Sequence, residues 1–461
     1  MALRSPALAA LLAAAALMQA AGAASAEERV LTLYSPQIDS EPYVHDTHSV
    51  TLRPNGSEAP AEGGYITGIK EQVLVDSKDP DAEPLPNAKM MIHHFLIFAP
   101  GRVDQLPGSC WGPVGFIGGR GEEHPSGDYS GWLGPEHRSR YGINNRLPDG
   151  SAPTWFLTAM VMNHYRRPKS FFVRLRVYYT TDEPRESVSP IVVGNCSTFP
   201  NGMAYDVPGG GRKGSSYVDR TTWTVPSGLN GRIVLAGSHH HGGAKHQTLS
   251  SQTCGRQIFD APAYHGRPKH IYNTIRPILH EPGPIGNGTY ASAKGIPIHE
   301  GEVLERAAFH DNSNLHVASM GFWVLNVVRD DSVGECEPLP DDVRELNRPA
   351  RFDRTPNHGL VVPQLWKPRS AFRRFTGGPV QVDDHFFRPG KLRARLGDAI
   401  TWSFTGDAPH SVTVANGPRG FSSRYSGQTR GTYSFTPPVR GRYRLTCLIH
   451  PTSMGQTLDV R

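Results

Sequence analysis

The sequence contains few cysteines and, beyond its first residues, no long hydrophobic run. Five of its 461 residues are cysteine, and after residue 26 no stretch approaches the roughly 18 apolar residues that a membrane-spanning helix needs. Residues 1–26 carry one positive charge (Arg4), an apolar Ala/Leu run and the small-residue ending Ala24-Ser25-Ala26. This is the pattern of a secretory signal peptide. We therefore expect an exported protein, secreted or periplasmic, without a membrane span.

The sequence also lacks a dense basic patch and the common hydrolase motifs. The formal net charge is +6, and it is dispersed except for an Arg-rich stretch near 367–374. Nucleic acid is therefore not an expected partner. No G-x-S-x-G and no H-E-x-x-H motif occurs, so the sequence gives no support to a hydrolase.

Turn-forming residues, by contrast, are abundant. There are 49 glycines and 40 prolines, a density that long helices do not tolerate. At the same time 38% of the residues are hydrophobic, which is enough to fill real cores. Runs such as FFVRLRVYY and GFWVLNVV are rich in β-branched and aromatic residues. The composition therefore predicts an all-β protein of short strands and many turns.

Changes in composition divide the chain, which is too long for one ordinary domain. We expect a first β-sandwich over 27–190 and a second over 191–335. A Pro- and Arg-rich stretch without sustained periodicity follows over 336–374 and is predicted to be a linker. Residues 375–461 then form a compact third unit.

The third unit carries a metal-ligand motif near its end. Cys447, His450 and Met454 have a Cys-x2-His-x3-Met spacing, and His410 starts a predicted strand about 37 residues before Cys447. One thiolate, two imidazoles and a thioether form the ligand set of a blue-copper site, in which a weak axial Met tunes the potential. We therefore predict a type 1 copper ion held by these four residues.

The sequence around these ligands resembles the plastocyanin/azurin-like cupredoxins over the whole third unit. The segments VQVDDHFFRPGKLRARLGDAITWSF, PHSVTV and NGPRGFSS carry this resemblance, together with the strand that runs from Tyr443 to Cys447. The resemblance implies a Greek-key β-sandwich, electron transfer as the activity and the same four copper ligands.

An odd number of cysteines cannot all pair. With Cys447 assigned to copper, the other four are free to form two disulfides in an oxidising compartment. These four are Cys110, Cys196, Cys254 and Cys336. Four cysteines allow three pairings, and all three remain open.

Histidines occur inside apolar strands of the first unit. His93 and His94 lie within MMIHHFLIF. Neighbours on a regular strand point to opposite faces, so both can reach one metal only at a bulge or a strand end. His164 lies at the end of another apolar run, WFLTAMVMNHY.

The second unit contains a histidine triplet and a methionine in a late strand. In His239-His240-His241 the outer pair share one strand face and can chelate a metal. Met320 lies in the apolar run HVASMGFWVL. The triplet and the methionine are thus candidates for one metal site.

The order of these features resembles the copper type II, ascorbate-dependent monooxygenases over roughly 85–330. This family includes peptidylglycine α-hydroxylating monooxygenase and dopamine β-monooxygenase. The resemblance implies two consecutive jelly-roll-like β-sandwiches that bind up to two further copper ions. It implies His93, His94 and His164 as ligands of the first copper, and His239, His241 and Met320 as ligands of the second, catalytic copper, with His240 as an alternative at the triplet. The segments SHHHGGAKHQTLSSQTCGRQIF and EGEVLERAAFHDNSNLHVASMGFWVLNVV also resemble the plant stress-upregulated nodulin family.

Two positions depart from the peptide-amidating relatives. Those proteins carry an Arg two residues before the His-x-His, and a Tyr four residues after the Met. Here these positions are Gly237 and Val324. A glycine-extended peptide is therefore not the expected substrate, and the organic substrate stays unknown.

Two functions are consistent with these motifs. The first is an exported copper monooxygenase that hydroxylates C–H bonds, with electrons supplied through the cupredoxin unit by a redox partner or a small-molecule reductant. The second is a non-catalytic copper-binding electron carrier whose β-sandwiches form a docking scaffold. Ligands alone indicate metal binding and not turnover, so the sequence leaves both open.

Overall fold

A computed structural model describes residues 28–108, 110, 114–121, 140–182, 186–196, 203–346, 348–356, 360 and 362–461. The predicted signal peptide, 1–26, lies outside these residues. The described part is built of strands with one short helix, so the prediction of an all-β fold made of β-sandwich sheets is confirmed. Within this part no helix combines the length and apolar character that crossing a bilayer requires.

Among the described residues, nine strands belong to the first sandwich. They are β1 (Arg29–Tyr34), β2 (Ile38–Ser40), β3 (His45–Leu52), β4 (Gly64–Val75), β5 (Met90–Phe98), β6 (Phe116–Gly121), β7 (Tyr141–Asn145), β8 (Trp155–Asn163) and β9 (Lys169–Thr180). Four of them form the sheet β3-β8-β5-β6, which packs on the strands β1-β9-β4-β7. The alternating apolar side chains of both layers make the first core, with Phe95, Trp155 and Phe171 fully buried.

In the second sandwich the described residues form twelve strands and the helix. They are β10 (Glu186–Gly194), β11 (Tyr205–Val207), β12 (Ser216–Thr224), β13 (Gly231–His240), β14 (Ala244–Ser251), β15 (Arg256–His265), α1 (Ile271–Thr274), β16 (Pro284–Asn287), β17 (Thr289–Ile298), β18 (Val303–Asp311), β19 (His316–Ser319), β20 (Gly321–Arg329) and β21 (Arg344–Leu346). The sheet β12-β18-β14-β15-β16 packs on β10-β20-β13-β17-β21, and β11 pairs with β19. Trp323 lies in the centre of this second core.

One sheet runs through both sandwiches. Parallel pairing of β7 with β10 joins the two halves into the order β1-β9-β4-β7-β10-β20-β13-β17-β21. Strand β10 crosses the boundary that we expect at residue 190, because Glu186 and Ser187 pair with β7 while residues 188–194 pair with β20. The expected linker also contributes to sheets, since β21 extends this sheet beside β17. The shared sheet therefore joins the two sandwiches into one structure.

The third unit is a separate two-layer sandwich. Its strands are β22 (Arg373–Arg374), β23 (Val380–Asp383), β24 (Phe386–Arg388), β25 (Lys391–Ala394), β26 (Ile400–Phe404), β27 (Thr413–Asn416), β28 (Gly431–Phe435), β29 (Gly441–Thr446) and β30 (Gly455–Val460). The sheet β22-β25-β30-β29-β27 faces the sheet β24-β23-β26-β28. The core between them includes Trp402, Tyr443 and Cys447.

The structure selects one of the three disulfide pairings. Cys110 is bonded to Cys196, and Cys254 to Cys336. Cys447 is free and buried, as predicted for a metal thiolate. His299 lies close to the sulfurs of the second disulfide, but those sulfurs are bonded to each other, so this group is not a candidate metal site.

Candidate metal centres

The C-terminal site is assembled by a strand end and the turn that follows it. Cys447 directly follows β29, His450 lies in the turn to β30, and His410 precedes β27. The Cys447 Sγ atom lies 4.0 Å from His410 Nδ1 and 3.8 Å from His450 Nδ1, and the two Nδ1 atoms are 3.2 Å apart. One sulfur and two imidazole nitrogens thus converge on a single point.

Two neighbours orient the ligands of this site. Asp384 Oδ1 lies 3.0 Å from His410 Nε2 and accepts a hydrogen bond from its N–H, which leaves the Nδ1 lone pair facing the sulfur. Gly406 allows this contact, because a Cβ there would lie 2.5 Å from Asp384 Oδ1 and 2.9 Å from His410 Nε2. The Ser411 N–H donates to Cys447 Sγ over 3.4 Å.

Burial makes the thiolate depend on a cation. Cys447 is fully buried, and this desolvation raises the pKa of its thiol. A bound copper ion would offset that cost and release the proton. Met454 is also fully buried, in the same core cluster as Cys447, and its N–H donates to the His450 carbonyl.

A second centre lies between the two sheets that carry β5 and β13. His94 comes from β5, His239 from β13, and His241 directly follows β13. The His94 Nε2 atom lies 2.9 Å from His239 Nε2 and 2.9 Å from His241 Nε2. Imidazole nitrogens lie roughly 2.0–2.1 Å from a bound metal such as zinc, so two of them on one ion are about 3 Å apart. The observed spacing fits three ligands of one metal.

A β-bulge allows both members of the His93-His94 pair to face this region. The β5–β8 register shifts between Ile92 and His94, so His93 is the inserted residue. The His93 ring then packs at 4.1 Å from the His94 ring and 4.9 Å from the His241 ring. His93, His241 and His280 form a further group whose ring nitrogens lie within 4.8 Å of one another.

Hydrogen bonds and burial prepare these imidazoles as ligands. His241 Nδ1 donates to the Ala318 carbonyl over 2.8 Å, so its Nε2 carries the lone pair. Desolvation by burial lowers the pKa of His93 and His241 well below the usual range and that of His280 to about 4. At neutral pH these side chains are uncharged, as metal ligands must be.

The structure separates some residues that the monooxygenase resemblance groups together. Instead of two sets, His94 from the first unit joins His239 and His241 from the second. His164 is buried after β8, where its N–H donates to the Lys89 carbonyl, and it lies outside the close histidine groups found among the described residues.

His240 and Met320 lie beside the histidine cluster, which consists of His45, His93, His94, His239, His241 and His280. His240 points away from it, with Nδ1 2.9 Å from the Asn287 side-chain amide. Met320 is buried in a hydrophobic cluster with Phe322, whose ring packs at 4.6 Å on the His239 ring. Phe322 thus shares a hydrophobic cluster with Met320 and also contacts the His239 ring.

Two cluster members, His45 and His280, are not in the sequence prediction. His45 begins β3, and its ring lies 4.8 Å from the His93 ring and 5.0 Å from the His280 ring. His280 lies in the loop between α1 and β16. The inward-facing position of His45 on an alternating strand is a weak signal, and nothing in the sequence around His280 marks it as a ligand.

An apolar cavity of about 80 Å³ opens beside the centre. His94 and His239 form part of its wall, together with Leu96, Phe116 and Phe322. Gly237 and Val324, the two positions that depart from the peptide-amidating relatives, also line it. Most of the wall is apolar, and Arg120 is the charged residue that also lines it.

Comparisons with known proteins match only parts of the chain. No protein-family model and no curated protein matches it. Solved structures that resemble it include an oxidised amicyanin mutant (23% identity, 18% of this chain and 79% of that one, TM-score 0.15) and a fern plastocyanin mutant (20%, 18% and 100%, 0.17). A copper-containing nitrite reductase from Thermus scotoductus SA-01 is 13% identical over 50% of this chain and 55% of its own length, with a TM-score of 0.18. The assignment of both centres therefore depends on their geometry.

Proposed function

We propose that the protein is a copper-dependent monooxygenase with its own electron-transfer unit. The C-terminal sandwich holds a type 1 copper through His410, Cys447, His450 and Met454. A second copper, held by His94, His239 and His241, acts on a small apolar substrate. The observation that carries this proposal is the convergence of three imidazole Nε2 atoms at the wall of an apolar cavity.

The donor sets fit copper by their chemistry. Thiolate and thioether sulfurs favour Cu(I) and imidazoles suit copper in both states, so the C-terminal set suits a redox-active ion. Copper bound at the histidine cluster would supply the redox chemistry with O₂ that hydroxylation needs. The protein's own part is to keep the imidazoles neutral, to hold the substrate in the apolar cavity and to exclude bulk water. Met320, behind Phe322, and His164 stay predictions as ligands.

Hydroxylation balances only with an electron source. One O₂, two electrons and two protons convert a C–H bond to C–OH and release one water. A redox partner or small-molecule reductant would reduce the type 1 copper. Leu448, which directly follows Cys447, lines a small cavity together with His280 and Glu281. The loop after β29 and the loop that carries His280 therefore line the same cavity, and this proximity supports electron transfer between the centres.

Export also remains part of the proposal. The two disulfides, Cys110–Cys196 and Cys254–Cys336, suit an oxidising compartment. A secreted or periplasmic location would agree with the signal-peptide pattern of residues 1–26.

Copper content, absorption and oxygen uptake of the full chain test the function. We expect a strong visible thiolate-to-copper band that Cys447→Ser abolishes. The reduced, copper-loaded protein should consume O₂ in the presence of a small aromatic hydrocarbon such as toluene and form its alcohol. His239→Ala should abolish that reaction and keep the visible band, because the two centres are separate.

His246→Ala is the matched control. His246 is partly exposed and pairs with Asp260 on β15, so its loss should leave both signals intact. If the loaded wild-type protein shows the visible band but no substrate-dependent oxygen uptake, the electron-carrier function replaces the monooxygenase.

A further inference from the structure

We propose that the cavity beside His94 and His239 binds a small molecule with an apolar body and one uncharged hydrogen-bonding group, such as a hydroxyl, which the Asn326 side chain receives. The inference narrows the substrate class of the proposed function and rests on it, because the cavity is a substrate site only if the adjacent histidines hold a reactive copper. It assigns to Asn326 a role that no motif or resemblance in the sequence indicates.

Strand alternation places Asn326 in the cavity wall. Successive side chains of β20 point to opposite faces of the sheet, so Phe322, Val324 and Asn326 share one face, and all three line the cavity. Trp323 and Leu325, on the other face, belong to the second core. Residues of β5 and β6 in the first sandwich also line the cavity, so Asn326 faces a space that both sandwiches enclose.

The Asn326 amide is buried without a matching donor from the chain. Asn326 is 3% exposed, and its Oδ1 atom accepts no hydrogen bond from the described residues. An amide oxygen that is withdrawn from water without a replacement hydrogen bond is costly. A bound molecule with a donor would remove this cost. Because an amide accepts at its oxygen and donates at its nitrogen, a hydroxyl can bond to either atom.

Two hydroxyl side chains in the same wall already donate to the backbone. The Ser238 hydroxyl donates to the Gly288 carbonyl over 3.0 Å, and the Thr289 hydroxyl donates to the Asn287 carbonyl over 3.5 Å. Their protons are therefore used within the protein. Asn326 is the uncharged polar side chain of this wall that still needs a partner at its oxygen.

The rest of the wall favours an apolar body. Most of it consists of hydrocarbon side chains, among them Leu96, Phe116, Leu235 and Val324. Contact with these groups removes apolar ligand surface from water, which stabilises the complex. A polar group of the ligand placed against them would lose its hydrogen bonds with water and gain none. The polar end of a bound molecule is therefore directed to Asn326.

Arg120 is the charged residue of the wall and defines the competing ligand class. Its guanidinium donates to the Gln72 carbonyl, so part of its hydrogen-bonding capacity is used within the protein. A guanidinium nevertheless pairs well with a carboxylate. An anionic ligand held by Arg120 is therefore the alternative that an experiment has to separate from an uncharged ligand held by Asn326.

Asn326 and the copper ligands lie at two ends of one stretch of sheet. In the register of β13 with β20, His239 is opposite Phe322. Leu235 is opposite Asn326 in the same register, so Asn326 lies four residues further along β20, a distance of about 13 Å. Gly237 lies between the two ends on β13, and a Cβ there would meet nothing within 4 Å. A molecule in this space can present a C–H bond to the copper while Asn326 holds its hydroxyl.

Calorimetric titration of the full-length, copper-loaded, oxidised protein tests this ligand class. Three probes share one body: para-xylene, para-methylbenzyl alcohol and para-methylbenzoate. We expect the alcohol to bind roughly tenfold more tightly than para-xylene, as one buried hydrogen bond provides, and the carboxylate to bind most weakly. Asn326→Leu removes the amide at similar volume, so the alcohol should lose its tenfold advantage. The type 1 visible band reports that the variant has folded.

Val324→Ala and Gly237→Leu are the control variants. Val324→Ala enlarges the cavity on the same face of β20 and keeps the amide, so it should weaken binding of the alcohol and of para-xylene by the same factor. Gly237→Leu fills the space between the two ends and should abolish binding of both, which locates the probes in this cavity.

The wild-type comparison alone can overturn the inference. Equal affinities for the alcohol and para-xylene, or no binding of either, would show that Asn326 serves at most a water molecule. Tightest binding of para-methylbenzoate would assign the polar end to Arg120, and an alcohol preference that persists in Asn326→Leu would also contradict the inference. Failure of the proposed function is a different result: the alcohol would bind with the expected preference, but the reduced protein would not consume O₂ in its presence.

Discussion

The state of single side chains decides what the two centres can bind. Burial lowers the pKa of His450 to about 4, and that of His241 well below the usual range. These imidazoles therefore stay neutral at physiological pH and offer lone pairs without first losing a proton. The Cys447 thiol is the opposite case, because burial raises its pKa. Copper binding should thus release a proton at Cys447 and none at His241 or His450.

Asp384 is expected to tune the C-terminal copper through His410. Hydrogen bonds from His410 and from the N–H groups of Ala408 and Asp407 lower the pKa of Asp384 to about 2, so it is an anion. Asp384→Asn should weaken copper binding by roughly 10- to 100-fold, the usual effect of losing such a partner. It should also raise the reduction potential, because a negative charge near the oxidised ion is lost. Copper titration and spectroelectrochemistry measure both effects.

Asp407→Asn is the control for net charge. Asp407 is exposed and its side chain pairs with Arg430, so the same loss of charge should leave the copper affinity unchanged. Equal shifts of affinity and potential in the two variants would show that the hydrogen bond to His410 has no specific role.

At the scale of elements, strand irregularities bring the ligands together. A regular β5 would point His93 and His94 to opposite faces, and the bulge after Ile92 removes that conflict. β13 needs no bulge at the triplet, since His239 and His241 share a face by alternation and His240 turns to Asn287. The turn after the triplet then has to be tight, and Gly242 and Gly243 provide it.

Gly243→Ala should destabilise the fold at this turn. Gly243 has φ +78°, and a Cβ there would lie 2.5 Å from the His316 ring, which is held in turn by Glu281 over 2.6 Å. Left-handed backbone in a non-glycine residue costs about 1–3 kcal/mol, and the clash adds to it. We expect a loss of more than about 2 kcal/mol of unfolding free energy, measured by chemical denaturation.

Gly228→Ala separates backbone strain from the clash. Gly228 has φ +72° and nothing within 4 Å of an added Cβ, so only the backbone cost of about 1 kcal/mol should remain. If the two variants lose the same stability, the contact with His316 does not constrain the turn.

The sequence predicts features formed by residues that are close in the chain better than features formed by tertiary contacts. The all-β class follows from composition, and the convergence of His410, Cys447 and His450 follows from a short loop plus one strand. The N-terminal cluster is different, because its members come from separate strands and a loop. The pairing of β7 with β10 and the packing of the loop that carries His280 are tertiary contacts without a periodic signal, so the actual grouping around His93 and His94 could not be deduced.

At the scale of the whole molecule, the C-terminal unit packs directly against the second sandwich. The Gly420 N–H donates to the Pro208 carbonyl over 3.0 Å, and the Arg419 guanidinium donates to the Gly209 carbonyl. Tyr425 packs on the hydrophobic cluster that contains Met320. The C-terminal unit thus contacts the part of the second sandwich that also contains Met320.

A chain of hydrogen bonds connects this interface to His241. The Ser422 hydroxyl of the C-terminal unit lies 2.9 Å from both carboxylate oxygens of Asp206. Asp206 accepts the Ala318 N–H over 3.1 Å, and the Ala318 carbonyl accepts His241 Nδ1 over 2.8 Å. Ala318 has φ +55°, an unfavourable conformation for a residue with a Cβ that needs such support. The packing of the C-terminal unit on the second sandwich therefore helps to orient His241.

Ser422→Ala should consequently change the distant histidine centre. Without the hydroxyl, Asp206 loses a hydrogen-bond partner from the C-terminal unit. The Asp206 carboxylate then restrains the Ala318 backbone less, and the orientation of the His241 ring is less well fixed. We expect copper affinity at that centre to fall by up to roughly tenfold, below the effect of removing a direct partner of a ligand, while the type 1 visible band is unchanged. Ser434→Ala, an exposed change on the same unit where Ser434 bonds Thr401, should alter neither. Copper titration followed by electron paramagnetic resonance distinguishes the two variants. Equal copper affinities in both would show that the packing of the C-terminal unit does not affect the orientation of His241.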